Sequence, residues 1–249
     1  MNKKNIVITG GTSGLGLSLV RLYVEKGHNV HCIARDEKKC ITIQNELATC
    51  EGQFSYSIID MNQIESIDQF EFDKNIDILV LNAGVGLFES FESHGVQDIK
   101  SIIHVNFLAP ILLLKYCLPK LSHNATIVGI TSMSAKVSTP YASIYASSKA
   151  GFYQFLNALR LETNHHIMTV NTGPIKTPFH EKAHANKNPL IEIIKLNPDK
   201  LALRILKGIE KQKIEINAPI WMLMALNSIQ IAPRSIEKLI KPLLLTKQK

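Results

Sequence analysis

Tyr145 and Lys149 stand four residues apart in the stretch Tyr145-Ala146-Ser147-Ser148-Lys149-Ala150-Gly151, a spacing that puts both side chains on one face of a helix. A phenol titrating at about 10 exchanges protons poorly at neutral pH unless its anion is stabilised, and a neighbouring ammonium does that. Ser132 comes thirteen residues earlier, at the end of an apolar strand-like run, where its hydroxyl can meet the same substrate oxygen. A Tyr-x-x-x-Lys pair arises on many helix surfaces by chance. Its order behind Ser132 and a glycine turn is what points to acid–base catalysis.

That turn is Thr9-Gly10-Gly11-Thr12-Ser13-Gly14-Leu15-Gly16, placed between the strand-like run Asn5 to Thr9 and a helical stretch from Leu17 to Lys26 that ends at Gly27. Glycines let the backbone approach a pyrophosphate, and the unpaired N–H groups and dipole of the helix start attract its charge; tight packing is the alternative use of such a turn. The second strand ends at Ala34-Arg35. An acid there would bind a free ribose 2′-hydroxyl, whereas an arginine accommodates a 2′-phosphate, so Arg35 favours NADP(H) over NAD(H), with Asp36 following it and a plain surface charge as the other reading. Asp60-Met61 and Asn82-Ala83-Gly84-Val85 follow the third and fourth strands. Asp60 can accept from an adenine amino group, and the small Ala83-Gly84 pair lets the chain pass close to ribose; either segment also suits an ordinary turn.

The elements that must hold these residues are short apolar runs separated by helix-compatible stretches: Asn5 to Thr9, Asn29 to Ile33, Ser55 to Ile59, Ile76 to Leu81, Thr126 to Thr131 and Ile167 to Asn171. Strands covered on both faces by crossover helices have this composition, which predicts an α/β doubly wound parallel sheet with ligands at the carboxyl ends of its strands.

In this arrangement the chain resembles the short-chain dehydrogenase/reductase family from about Ile6 to Phe179. The resemblance is carried by Thr9 to Gly16, Asn82-Ala83-Gly84, Asn106 in His104-Val105-Asn106, Ser132, and Tyr145 with Lys149. It implies a Rossmann fold of about seven strands with helices on both faces, the last strand near Lys213 to Asn217, and a homodimer or homotetramer pairing the helices around 107–121 and 145–162. It implies that Tyr145 is the proton donor or acceptor, that Ser132 orients the substrate oxygen, that Lys149 lowers the tyrosine pKa and binds the nicotinamide ribose, and that Asn106 holds a water in the proton relay. The segment Thr172-Gly173-Pro174-Ile175-Lys176-Thr177 is similar to the family's Pro-Gly-x-Val/Ile-x-Thr element, with Thr177 near the nicotinamide carboxamide and Gly173, Pro174 and Ile175 beside the cofactor. It departs at Thr172, where the family usually has proline. The activity implied is an NAD(P)-dependent oxidoreductase acting on a CH–OH or C=O group. A non-catalytic dinucleotide-sensing protein of the same fold is the competing class, and an intact Asn106, Ser132, Tyr145 and Lys149 set argues against it.

The resemblance locates substrate contacts after Thr177. Residues 178–197 are expected to form a substrate-covering lid whose Leu190, Ile191, Ile193, Ile194 and Leu196 either cover a hydrophobic ligand or pack on the core. Residues 218–249 form an apolar and basic extension. Beyond Pro233, Ile236, Leu239, Ile240, Leu243 and Leu244 fall at helical spacing opposite Glu237, Lys238 and Lys241, with Pro242 kinking or ending the helix. Such a stripe covers the pocket, packs in a subunit interface, or lies on a membrane surface as a peripheral contact.

The 249 residues are 45% apolar and 20% charged, the balance of one globular domain over 1–249 with no repeat or linker. A net charge of +7 invites a nucleic-acid reading, but the excess is C-terminal and lacks an aromatic-studded groove or a binding motif, so a solvated face is preferred and the expected partner is a small molecule. Four cysteines without a CxxC pair and a start without a signal-peptide pattern place the expectation in a reducing cytoplasm. Cys117 is read as a buried apolar side chain. His180 and His184 have metal-ligand spacing, with His165-His166 a second pair, but no third ligand is near in sequence and no metal is assigned.

Overall fold

The computed structural model describes residues 3–183, 193–224, 234–236 and 238. Seven strands, β1 (Asn5–Thr9), β2 (Asn29–Ala34), β3 (Gln53–Ile58), β4 (Ile76–Leu81), β5 (Leu121–Ser132), β6 (His166–Thr172) and β7 (Glu215–Ala218), form one sheet in the order β3-β2-β1-β4-β5-β6-β7. Every pairing is parallel. Winding reverses between β1 and β4, the position where such sheets bind ligands.

Side chains alternate between two cores. Even positions such as Ile6, Ile8, Val80, Val128 and Val170 pack with Leu19 and Val20 of α1 (Gly14–Glu25), Ile43 of α2 (Glu37–Glu46) and Ile205 of α7 (Pro198–Glu210). Odd positions such as Val7, Leu79, Leu81 and Ile127 pack on the other face with Ala109 and Leu113 of α4 (Ala109–Cys117) and with Phe152 and Leu156 of α5 (Ser143–Glu162). Both faces of the central strands are thus dry, which is why they contain near-continuous β-branched and leucine residues.

Helix ends follow local chemistry. Asp36 caps α2 by accepting from the Lys39 N–H at 3.2 Å, and Asn197 caps α7 at Lys200 with Pro198 in its first turn. Ser18 of α1 donates to Asp199 of α7 at 2.6 Å, tying the two together. On the other face α3 (Val96–Ile103) runs through a π-helical turn, His104–Leu108, into α4. The run Val96–Lys120 is long and apolar enough to cross a membrane, yet Leu113, Leu114 and Cys117 are fully enclosed in the second core; it serves here as the core helix of an α/β layer. Cys117 is buried as expected, and burial pushes its thiol up to about 12.

Of the expected lid, residues 184–192, with His184, Leu190 and Ile191, lie outside the described residues, as does most of the extension beyond Met224, including Leu239, Ile240, Leu243 and Leu244.

Helix α5 meets the sheet at Gly129, where a Cβ would come within 2.1 Å of Leu156 Cδ1. Leu156 is fully buried, so its side chain can yield only by displacing the neighbours packed around it. Gly129→Ala should therefore destabilise the fold by about 1–3 kcal/mol through overpacking; urea unfolding measures it, and an unchanged midpoint would show that α5 does not rest on β5 this tightly.

Candidate active site

A cavity of about 940 Å³ opens along the carboxyl ends of the strands. Its floor is the glycine turn. Gly10 has φ 67°, and a Cβ on Gly16 would lie 2.3 Å from the Gly10 carbonyl oxygen, so neither position tolerates a side chain. With Thr12, Ser13, Gly14 and Leu15, these residues line the cavity at the N-terminus of α1, a cradle of backbone shaped for an anionic group.

The turn is held against β4 by Thr9, whose hydroxyl accepts from Asn82 N and Ala83 N at 2.9 Å each. The Asn82 side chain donates back to Thr9 O at 2.9 Å and Gly10 O at 3.2 Å. Ala83 and Gly84 follow on the cavity wall. Arg35, Asp60 and Met61 line the end beyond the glycine turn. Arg35 is exposed, while Asp36 is engaged by the Lys39 amine at 2.9 Å as well as by its N–H.

At the other end Tyr145 and Lys149 share the inward face of α5, both buried. Burial raises the Tyr145 phenol above its ordinary pKa, and a hydrogen bond with Ser132 pulls it back. Lys149 Nζ donates to the Ile130 carbonyl at 3.1 Å, and burial lowers its pKa to about 8. Lys149 thus lies one helical turn from the phenol with its ammonium held by a β5 carbonyl. The Ser132 hydroxyl also accepts from Ser134 N at 3.1 Å.

Asn106 sits behind this wall, fully buried in the π-helical turn. Its Oδ1 accepts from Val85 N at 2.8 Å, and its Nδ2 donates to Val85 O at 2.8 Å and to Ser148 Oγ at 3.0 Å. Ser148 donates to Tyr145 O at 2.7 Å. One amide thereby links the loop after β4 to the second turn of α5, the helix that carries Tyr145 and Lys149. Immediately before α5, Tyr141 takes φ 61°, a left-handed conformation rare for a bulky residue, so strain sits in the loop that launches Tyr145.

Gly173, Pro174, Ile175 and Thr177 line the cavity after β6. Thr172 pairs on both sides, with Ser132 and Ala218, and a proline there would bring no N–H to the ladder. Ile175 bridges to Leu196, with Lys176 N donating to Leu196 O at 2.9 Å and Leu196 N to Pro174 O at 2.8 Å, so both ends of the 178–197 segment are tied at the cavity rim.

Sequence reasoning missed several residues here. Thr9 and Ser148 act through short side chain–backbone bonds that no spacing announces. Phe88 and Phe179 flank the Tyr145 ring at centroid distances of 5.4 and 5.8 Å, joined by Met133, Val137 and Met222. Among the described residues no cluster of histidine, cysteine and acid could hold a metal.

Comparison with known proteins gives the site a family. The model for short chain dehydrogenase matches residues 4–188. Over 234 residues the chain is 32% identical to 11-beta-hydroxysteroid dehydrogenase-like 3 of Arabidopsis thaliana, covering 88% of this chain and 74% of that protein. A probable short-chain type dehydrogenase/reductase of Helicobacter pylori is 28% identical over 187 residues, covering 72% and 68%. Among solved structures, a short-chain dehydrogenase from Sphingobium yanoikuyae in complex with NADPH aligns with TM-score 0.82 at 20% identity, over 94% of this chain and 95% of that one. One from Burkholderia phymatum in complex with NAD aligns with TM-score 0.78 at 18% identity, over 90% and 92%. The chain belongs to the short-chain dehydrogenase family and is an NAD(P)-dependent oxidoreductase.

Lys149 generates a stability prediction. Its folded pKa of about 8 lies below the ordinary 10.5, so between those values the unfolded chain binds more protons and stability rises with pH. Below about 8 both states are protonated and the fold carries the whole penalty. In urea titrations the wild type should therefore gain on Lys149→Met as pH goes from 8 to 10.5, by on the order of 3 kcal/mol. A flat difference would mean that the ammonium is not desolvated.

Proposed function

We propose that this enzyme interconverts a carbonyl and an alcohol on a medium-sized, largely apolar substrate, with NADP(H) as cofactor and Tyr145 as acid or base. The carrying observation is the buried Tyr145 phenol, paired with Ser132 at the cavity wall and one helical turn from Lys149. A raised pKa keeps the proton on the phenol at neutral pH, ready for a carbonyl oxygen, and in the opposite direction the same oxygen returns it. Ser132 orients the substrate oxygen, and the Lys149 charge offsets the phenolate left when the proton departs. Asn106 Oδ1 accepts one bond from Val85 N and retains a lone pair with which to hold a relay water.

The bound nicotinamide supplies or accepts the hydride. For the cofactor, the Gly10 to Gly16 turn takes the pyrophosphate, Asp60 and Met61 the adenine, Asn82 to Gly84 the adjoining ribose, Lys149 the nicotinamide ribose, and Gly173 to Thr177 the carboxamide. The preference for NADP(H) is supported by Arg35 and by an Asp36 carboxylate already neutralised by Lys39 at 2.9 Å. An apolar substrate is supported by Phe88, Met133, Val137, Phe179, Ile194 and Met222, with no charged side chain but Lys149 on this part of the wall among the described residues. The Arabidopsis relative is named for a hydroxysteroid, a bulky apolar alcohol. The lid role of 178–197 is supported by Phe179 beside Tyr145 and by Phe88 N donating to Ala183 O at 2.8 Å. Pairing of subunits through α4 and α5 is supported by the exposed Tyr116 and Leu161.

Turnover is tested with a panel of apolar ketones and alcohols, following NADPH and NADH absorbance. Tyr145→Phe should bind cofactor as the wild type does and lose turnover by about 10²–10⁴-fold; near-native kcat would remove Tyr145 from the chemistry. Arg35→Ala should weaken NADPH in a fluorescence titration while leaving NADH unchanged, since the lost contact is to a phosphate. Equal weakening of both would show that Arg35 does not read the 2′-phosphate.

A further inference from the structure

On the α5 side of β5, β6 and β7 the sheet surface turns from apolar to polar toward its carboxyl end. Ile127 and Ile167 belong to the core there, but farther along Thr131, Asn171, Glu215 and Asn217 form a ladder across three strands. The Thr131 hydroxyl donates to Asn171 Oδ1, and Asn171 Nδ2 donates to Glu215 Oε1 at 2.8 Å and to Asn217 Oδ1 at 2.9 Å. The ladder ends on Lys136, whose Nζ lies 2.5 Å from Glu215 Oε1 and 3.4 Å from Asn217 Oδ1, above the Tyr153 ring at 4.8 Å. Tyr153 of α5 reaches Glu215 Oε2 at 3.5 Å, and Arg160 of the same helix adds its charge to that of Lys136 around this carboxylate.

Burying such a network is a poor way to gain stability, because well-packed apolar residues would serve as well. Its geometry suggests another use. Lys136 closes the short turn Met133–Lys136, which begins right after Ser132. Within that turn Ser134 N donates to Ser132 Oγ at 3.1 Å, and Ser132 Oγ reaches the Thr172 carbonyl at 3.4 Å; the same hydroxyl is the group that draws the Tyr145 pKa back down. Ser134 and Val137 line the cavity, whereas Lys136 and Glu215 do not, so the pair acts on the cavity only indirectly, and the turn is the route that contains the donor to Ser132.

We propose that the Lys136–Glu215 hydrogen bond positions Ser132: by tying the end of the Met133–Lys136 turn to β7, it fixes the Ser134 N–H that orients the Ser132 hydroxyl toward Tyr145. Lys136 and Glu215 are positioning residues, and the inference rests on the reading of Ser132 and Tyr145 given above. The charged or titratable groups that bear on Glu215 are Lys136 from the turn and Tyr153 and Arg160 from α5; around Tyr145 they are Lys149 from its own helix and, uncharged, the Ser132 hydroxyl.

NMR of tyrosine labelled at Cζ tests this without substrate, with the Tyr145 signal assigned by its loss in Tyr145→Phe. Ser132→Ala defines the signal position when the hydroxyl bond is gone. Glu215→Ala should move the signal at least half of the way to that position at pH 7. Glu215→Gln, which lacks the charge but keeps an oxygen for Lys136 and Asn171, should leave it near the wild-type position. A Glu215→Ala signal at the wild-type position, or equal displacement in both Glu215 variants, overturns the positioning role. If Ser132→Ala itself moves nothing, the Ser132–Tyr145 reading fails instead. Should Glu215→Ala not fold, Lys136→Met, which keeps the apolar stem over Tyr153, should show the same displacement, and its absence overturns the proposal. With a ketone that the wild type reduces, the displaced variant should lose roughly tenfold in kcat with KM nearly unchanged; a raised KM with intact kcat counts against it.

Discussion

Where the winding of the sheet reverses, the Thr9 hydroxyl accepts hydrogen bonds from Asn82 N and Ala83 N together, and Asn82 donates back to the carbonyls of Thr9 and Gly10. These bonds hold the end of β1 against the end of β4 without any side chain larger than threonine or asparagine between them. On one side of this joint the glycine turn presents the start of α1; on the other the chain passes to Val85 and the Asn106 clamp. The glycine-turn half and the Tyr145 half of the cleft thus share a single backbone seam, and each takes its alignment from it.

Helix α5 is fixed to that frame by contacts of different kinds. Leu156 fills the space left by Gly129, Lys149 reaches the Ile130 carbonyl, and Ser148 receives Asn106. Dispersion, a charge-assisted hydrogen bond and a neutral network therefore constrain the same helix at two places about two turns apart. Their joint effect is a tyrosine held buried beside Ser132 at the cavity wall. An active site assembled on secondary structure in this way is preorganised, since little side-chain freedom remains to be lost when a substrate arrives.

The central strands were legible because both of their faces are buried, leaving continuous apolar runs such as Ile76 to Leu81. Legibility failed at the ends. β5 begins at Leu121, five residues before the apolar run, since Leu121 already pairs with Ile76 while His123 and Asn124 stay exposed. β3 begins at Gln53 because an edge strand needs a partner on one side only, so its exposed polar residues hide its start. The glycine turn, Asn82, Ser132, Tyr145 and Lys149 stood out because their chemistry depends on residue type at fixed offsets. The π-helical turn around Asn106 has no comparable signal: its purpose is to aim one amide at Val85, a residue of a different element. Phe88 and Phe179 were invisible for a related reason, being brought to Tyr145 by chain segments about ninety residues apart in sequence.

The parallel order also dictates how the molecule can assemble itself. β1 lies between β2 and β4, and its pairing with β4 joins residues as far apart as Ile6 and Ile78. During synthesis the first two strands and α1 therefore emerge with one flank of β1 uncovered until some eighty residues have appeared, and the wall carrying Tyr145 comes later still. Contacts of such long range close slowly, because chain entropy must be lost before any pairing compensates it. The glycine turn is made early but has nothing opposite it. A nascent chain halted after α2 would display the glycine turn with no wall opposite it, so the cavity arrives late in this chain's biogenesis, as a property of the completed sheet.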